Sequence, residues 1–305
     1  EKIIPTAIEF VDIAGLVKGA SKGEGLGNQF LSHIKNIDVM VHLVRCFENT
    51  DITHVEGDIN PRRDIQIIET ELIMKDLESI EKKINKMTKI AKSGDKQATF
   101  ELNTLTTIFN YLNEGTLIKN IKFEQHELEY IESLFLLTNK PTIYIANVGE
   151  QDIEKNNELY SQHVKNFAQE SNSEFLTLCG NIEMEISNFT KNEQIDYLLM
   201  YNLKSSGLDQ LIQLAYKMLG LETFFTAGEK EIKAWTIKKG FTAPQAAGVI
   251  HTDFQRGFIK AEIYTVAELE NHTSELALKN AGKIRQEGKE YVVKDGDVIF
   301  FKFNV

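Results

Sequence analysis

The sequence predicts an α/β fold: a mostly parallel sheet, an antiparallel helical hairpin inserted in it, and a small β-rich domain at the end. Three observations point there. Short strands with almost no polar positions alternate with helical segments, as in a parallel sheet covered on both faces. A long stretch in the first half instead repeats apolar residues four and three apart, the spacing of a helical seam. After Thr223 the texture changes to short strands and turns.

Ile8–Ile13 reads as the first strand, Leu26–Ile34 as a short helix, and Asp38–Cys46 as a second strand. Asp64 to about Lys92 is predicted as one long helix, with Ile73, Leu77, Ile80, Ile84, Met87 and Ala91 along its seam. Ser93-Gly94-Asp95 turns the chain into a second helix from Ala98 to Asn113, with Leu102, Leu105, Phe109 and Leu112 on one side. Two helices joined by a short polar turn suggest a projecting hairpin. The sheet pattern resumes with a strand over Thr142–Ala146, a helix over Asp152–Glu170, and a strand over Glu174–Leu178. Gly207–Leu219 is amphipathic and stops at Gly220. The terminal strands are expected at Ala234–Ile237, Phe258–Ile263, Tyr291–Val293 and Val298–Phe303, the last two joined by a turn at Lys294-Asp295-Gly296-Asp297. The expected domains are therefore 1–63 with 138–221, the helical insertion 64–137, and the terminal domain 222–305.

With 305 residues and an apolar fraction of 42%, the chain can build a sizeable core. Its longest apolar run, Asp38–Val44, is too short to cross a bilayer, so no membrane partner is expected. Cys46 and Cys179 are far apart and each lies in or beside an apolar strand, which reads as buried, reduced thiols in a cytoplasmic protein. The formal net charge of −11 argues against a wholesale nucleic-acid coat. The charge is uneven: Glu229–Val305 holds 12 Lys/Arg and 11 Asp/Glu, a net +1, leaving −12 elsewhere. Lys233, Lys238, Lys239, Arg256, Lys260, Lys283 and Arg285 are candidates for an RNA-facing surface there, whereas Trp235, Phe241 and Phe258 read as core.

Two motifs carry chemistry. The first is D-x-x-G, Asp12 to Gly15, followed at once by a glycine-rich stretch, Lys18 to Asn28. An aspartate at a strand end can hold the water shell of Mg²⁺, and the glycine N–H can meet a terminal phosphate. Alone the spacing is weak evidence, since about one such match is expected by chance in a chain this long. The phosphate cradle that should accompany it, G-x-x-x-x-G-K-[ST], occurs nowhere in these residues. With Glu1 as the first residue, the sequence reads as one whose first strand and phosphate loop are missing.

The second motif is Asn147-Val148-Gly149-Glu150, at the end of the Thr142–Ala146 strand. GTP-binding proteins carry N-K-x-D here, and its Asp accepts from N1–H and the 2-amino group of guanine. Glu150 displaces that carboxylate and Val148 lacks the lysine stem that covers the base. Both changes weaken the case for guanine and are compatible with adenine.

Val11–Asn28, Val44-Arg45-Cys46-Phe47-Glu48-Asn49, Tyr144–Val148, Phe225–Gly228, Ala243–Gly248, His251–Phe254 and Lys294–Asp297 together resemble the signature of the YchF / Obg-like ATPase family. The resemblance runs from about Pro5 to Val305. It implies a P-loop NTPase-type domain, a helical insertion and a C-terminal TGS domain of β-grasp shape. It also implies Mg²⁺-dependent hydrolysis of ATP in preference to GTP, and association with the ribosome, its large subunit or the whole particle. Contact with ribosomal RNA through the helical and TGS domains is expected, from a monomer. The missing phosphate loop predicts poor nucleotide binding and almost no turnover by these residues alone.

Related GTPases place Gln after D-x-x-G to orient the attacking water. Here the residue is Leu16, so positioning must come from elsewhere. His54 is the candidate, because its loop follows the Asp38–Cys46 strand and a neutral imidazole can orient water. Lys18 and Lys22 can reach a γ-phosphate or stay solvated. Cys179 and Gly180 occupy the place where relatives close over the base with backbone N–H groups. The roles are then Asp12 for metal-bound water, Gly15 for the γ-phosphate, Asn147 for the base loop, and Val148 with Glu150 for the base. An alternative remains open: a non-catalytic module that binds ribosome, RNA or protein, with nucleotide as an allosteric ligand.

Overall fold

A computed structural model describes residues 2–12, 37–49, 57–155, 157–228, 231–272 and 274–304. The chain divides into two compact units, one made of residues 11–214 and the other of residues 1–10 with 215–305.

The first unit is built on a parallel sheet, β2 (Met40–Arg45), β3 (Thr142–Asn147) and β4 (Glu174–Leu178), in the order β2-β3-β4. Five successive residues of β3 are buried, as expected for a central strand covered on both faces. The register aligns Arg45 with Asn147 and Asn147 with Leu178, so all three strands end on one rim. On β2, Val44 is buried while Val41 and Leu43 are exposed, leaving one face of that strand open.

Helix α1 (Pro61–Ala91) is capped by the Asn60 side chain, which accepts from Arg63 N–H, and Pro61 fits the first turn, where no N–H is needed. Its first half lies on the sheet: Ile65 joins the sheet core, and Leu72 packs with Met40 and Leu137. Its second half pairs with α2 (Lys96–Asn113). Ile73, Leu77, Ile80, Ile84 and Met87 from the predicted seam meet Leu105, Ile108, Phe109 and Leu112. Gly94, at φ +83°, makes the turn, and Asp95 caps α2 by accepting from Ala98 N–H. α3 (Gln125–Ser133) closes the insertion. The predicted 152–170 helix is split into α4 (Glu150–Lys155) and α5 (Ser161–Glu170); α6 (Gly180–Ile186), α7 (Lys191–Met200) and α8 (Gly207–Met218) follow β4.

The second unit is a six-stranded mixed sheet. In the order β1-β6-β5-β9-β7-β8 its strands are β1 (Lys2–Ile4), β6 (Glu231–Lys238), β5 (Leu221–Ala227), β9 (Asp297–Phe303), β7 (Phe258–Thr265) and β8 (Arg285–Glu287). It curls around α9 (Ala243–Ile250), whose Ala243, Ala246 and Ala247 are fully buried against Phe224, Ile237, Ile263 and Ile299, the β-grasp arrangement.

Two expectations fail. Residues 5–12 form no strand, and Phe10 and Val11 are exposed; the strand near the start is Lys2–Ile4, parallel to β6. An apolar run becomes a strand only with a ladder partner, and β2 pairs with β3 alone among the described residues. Tyr291–Val293 is likewise not a strand: Val292 makes one isolated bridge to Thr242, and Tyr291 serves Asp297 through its hydroxyl. The predicted 26–34 helix lies outside the described residues.

Candidate functional site

The rim at the ends of β2, β3 and β4 is held together by the residue that ends β3. Asn147 C=O accepts from Cys46 N–H at 2.8 Å, on the β2 side. Its side-chain Oδ1 accepts from Gly180 N–H at 3.0 Å, on the β4 side. Val148 N–H donates to Leu178 C=O at 2.9 Å. One asparagine therefore ties its own loop to the loops that follow β2 and β4. Gly149 N–H donates to Asp152 Oδ2 at 3.1 Å, which turns the chain into α4.

Glu150 stands at the start of α4, and its Oε1 accepts from Asn181 Nδ2 at 3.0 Å. Asn181 lies in the first turn of α6, directly after Cys179 and Gly180. Asn147, Glu150, Cys179 and Gly180 are thus brought together. Cys179 is buried, and burial first of all raises its thiol pKa. Cys46 is also buried; burial, with Asp64 and Asp152 adding to it, pushes its thiol up to about 12. Neither thiol is a nucleophile at neutral pH.

Val148 is placed differently from its assigned role. Its side chain is 4% exposed and sits in the sheet core, so only its backbone reaches the rim. Asp12 is exposed, outside any strand and outside the hydrogen-bonded rim cluster. Gly15 and His54, with Leu16, Lys18 and Lys22, lie outside the described residues.

Sequence reasoning missed three supports. Asn181 orients Glu150. Glu183 accepts from Gly207 N–H at 2.6 Å and Leu208 N–H at 3.0 Å, docking the first turn of α8 onto α6. Gly207 is there for space: a Cβ would fall 2.6 Å from Leu178 Cβ. Only the helix start at Gly207 left a trace in the sequence; the pairings join positions 24 to 31 residues apart.

In the terminal unit, Phe258 is buried, and Trp235 and Phe241 pack against the same core. Trp235 Nε1 donates to Thr226 Oγ1 at 2.9 Å and Lys233 Nζ lies 3.6 Å from the Trp235 ring centroid. Lys260 donates to Gln286, and Arg285 lies 3.8 Å from the buried Asp297. These three basic groups are already engaged within the domain.

Among the described residues no group of three His, Cys, Asp or Glu side chains could hold a metal ion, and no helix is long and apolar enough to cross a membrane.

The profile of 50S ribosome-binding GTPases matches residues 2–91, and a C-terminal YchF GTPase profile, described as a protein of unknown function (DUF933), matches residues 221–304. The chain is 48% identical over 305 residues to the ribosome-binding ATPase YchF of Pasteurella multocida, covering 100% of this chain and 84% of that protein. It is 46% identical over 307 residues to the ribosome-binding ATPase YchF of Bacillus subtilis, with the same coverage. The solved structure of the Schizosaccharomyces pombe YchF GTPase superposes with a TM-score of 0.85 at 38% identity, covering 99% of this chain and 82% of that one.

Proposed function

The chain belongs to the YchF family, and from that membership and the rim geometry we propose that it is a cytoplasmic, ribosome-associated nucleotide hydrolase that prefers ATP to GTP. The observation that carries the base preference is the Asn181–Glu150 hydrogen bond at 3.0 Å. Reading guanine takes both oxygens of one carboxylate, for N1–H and the 2-amino group. Asn181 donates to one oxygen of Glu150 and draws that carboxylate toward α6. Adenine offers only its 6-amino group as donor on that edge and asks less of this carboxylate.

In this reading Asn147 holds the base loop against Gly180, and Val148 acts through its buried anchor. Asp12 is an exposed carboxylate, a hard oxygen donor suited to a Mg²⁺ that keeps several waters and takes its other ligands from phosphate. Mg²⁺ bound there would neutralise charge on the phosphates. Gly15 N–H is assigned to the γ-phosphate and His54 to the attacking water. These residues carry no G-x-x-x-x-G-K-[ST] sequence, so phosphate affinity and turnover by them alone are expected to be low. Leu16, unable to orient water, favours a second reading in which nucleotide is chiefly an allosteric ligand of a ribosome-binding protein.

A competition titration of ATP against GTP tests the base model. Glu150→Asp is expected to narrow the ATP preference by about tenfold, or 1.4 kcal/mol; unchanged relative affinities refute the model. Glu150→Asp is cleaner alone than with Val148→Lys, which would bury an ammonium in the core. Turnover of a chain carrying an intact phosphate loop, with and without ribosomes, separates the two readings: a negligible rate in both conditions sinks the hydrolase.

A further inference from the structure

Residues 179–181, the loop assigned to the base, are tied down from two sides. On the β3 side, Gly180 N–H donates to Asn147 Oδ1 and Asn181 Nδ2 donates to Glu150 Oε1, both at 3.0 Å. These bonds are exposed, on the rim where the nucleotide is placed. On the other side the tie is Glu183, two residues beyond Asn181 and about 3 Å further along α6. Its carboxylate grips the start of α8 with both oxygens: Oε1 accepts from Gly207 N–H at 2.6 Å and Oε2 from Leu208 N–H at 3.0 Å. Hydrogen bonds to an ionised acceptor are the strong ones. Ile182 and Ile186, buried in the sheet core, seat the same short helix on the sheet.

This grip is more than α8 needs for itself. The helix has its own N-terminal devices: the Ser206 hydroxyl accepts from Asp209 N–H at 3.0 Å, and Asp209 places a carboxylate in the first turn. A further carboxylate is nonetheless brought in from 24 positions away. Position 207 is kept bare to receive it. Alanine is the better helix former, but its Cβ there would stand 2.6 Å from Leu178 Cβ and 2.9 Å from Glu183 Oε1. Leu178 is the last residue of β4, directly before Cys179. The first turn of α8 thus lies against the residue that precedes the base loop and holds one that closely follows it. A device that exceeds the local need points to a use beyond the helix.

We propose that Glu183 is a positioning residue for nucleotide binding: by clamping α6 to the start of α8 it presets the gap between residues 179–181 and the end of β3, so that a purine base enters a space already formed. The inference rests on the reading that places the base at this rim. With both oxygens spent on α8, Glu183 acts on a ligand only through the loop it holds. Ordering a loop at the moment of binding subtracts from affinity, and a loop already held escapes that loss. Asn147 holds the same loop from the opposite side. The two residues therefore act on one quantity, the width of the gap, and their effects on binding are interdependent.

The test is a double-mutant cycle in the full chain, Glu183→Gln with Asn147→Ala, read by ATP and GTP titration with urea unfolding alongside. Glutamine keeps the length of the side chain and one accepting oxygen, but sets an amide donor against a second N–H. Glu183→Gln is expected to weaken ATP binding about fivefold. In the Asn147→Ala background the same change is expected to weaken it only about twofold further, because the loop is already loose. Gly207→Ala attacks the clamp without touching Glu183, and is expected to match Glu183→Gln despite its gain in helix propensity. It also keeps the clamp open to refutation should Glu183→Gln fail to fold. A purely structural Glu183 would lower the urea midpoint and leave the ATP affinity of the folded protein unchanged; that result, or losses that multiply in full across the cycle, overturns the clamp. If instead the wild type binds ATP and GTP alike and Asn147→Ala alters neither, the base reading of the rim falls. If Asn147→Ala weakens ATP binding while Glu183→Gln and Gly207→Ala do not, the clamp alone falls.

Discussion

The two ends of β3 treat polar groups in opposite ways. At its start they are buried or half-buried and spent on one another. Asp76 accepts from Leu137 N–H, Thr138 N–H and the Thr138 hydroxyl at 3.0, 2.8 and 2.6 Å. Lys119 Nζ donates to Thr142 and Ser173 hydroxyls, and the Tyr144 hydroxyl donates to Glu69 at 2.6 Å. At its end the polar groups are only partly used: Asn147 and Glu150 each make a single cross-loop side-chain bond, both exposed. One strand thus has an anchored end and an open one. Closed polar networks fix a fold; partly committed polar groups on a rim are where a ligand can compete.

The largest expected effect breaks the anchored end. Asp76→Ala would leave two backbone N–H groups and a hydroxyl buried without their acceptor. Each unsatisfied donor costs roughly 1–3 kcal/mol, so a loss of about 4 kcal/mol is expected after relaxation. Urea unfolding measures it. A cost below about 1 kcal/mol would mean that this end is no anchor and that the contrast between the ends is false.

Titration probes the same end with a smaller effect. His42 on β2 lies with its ring 5.6 Å from that of Tyr144, and burial, aided by Lys119, holds its imidazole down at about 4. The neighbouring Lys119 is itself held down to about 8 by burial, partly offset by Glu69. Between pH 6.5 and 4 the unfolded chain takes up a proton at position 42 that the folded chain refuses. Stability from this group is therefore complete above pH 6.5 and is lost as pH falls toward 4, by on the order of 2–3 kcal/mol. Urea midpoints for the wild type and His42→Gln should converge across that window. A constant gap between them would show that His42 titrates as it does in water.

How much of this was legible in the sequence follows the range of each interaction. The hairpin was, because Ile73 through Met87 repeat within one helix and need no distant partner to be recognised. β4 was, because Phe175, Leu176 and Leu178 make a short apolar cluster between polar turns. The Ile8–Ile13 run was misread because a strand depends on the neighbour that completes its ladder, and local pattern does not name one. The same limit governs the rim. Asn147 and Glu150 were found through a motif at a strand end, and Gly180 by position. Asn181, Glu183 and the space that only Gly207 leaves against Leu178 depend on which loops meet. Val148 was assigned to the base because the motif position suggested it, whereas strand alternation past the end of β3 turns it into the core.

The smallest expected change in stability is the one that sharpens the comparison most. Asn147→Ala removes the acceptor for Gly180 N–H, but that group is exposed and water can replace the lost partner. The expected cost is about 0.5–1 kcal/mol in urea unfolding, several-fold below that of Asp76→Ala. Nucleotide binding should respond in the opposite proportion. Without the bridge, the loop at 179–181 is no longer held at a fixed distance from β3, and whatever lies between them loses its preset walls. A roughly tenfold loss of affinity, about 1.4 kcal/mol, is expected in the ATP competition titration. Asp76→Ala, assayed where it remains folded, should leave that affinity near the wild-type value. If the two variants instead lost stability and affinity in the same ratio, the open end would be a structural anchor like the other, and the ligand would have to be sought away from this rim.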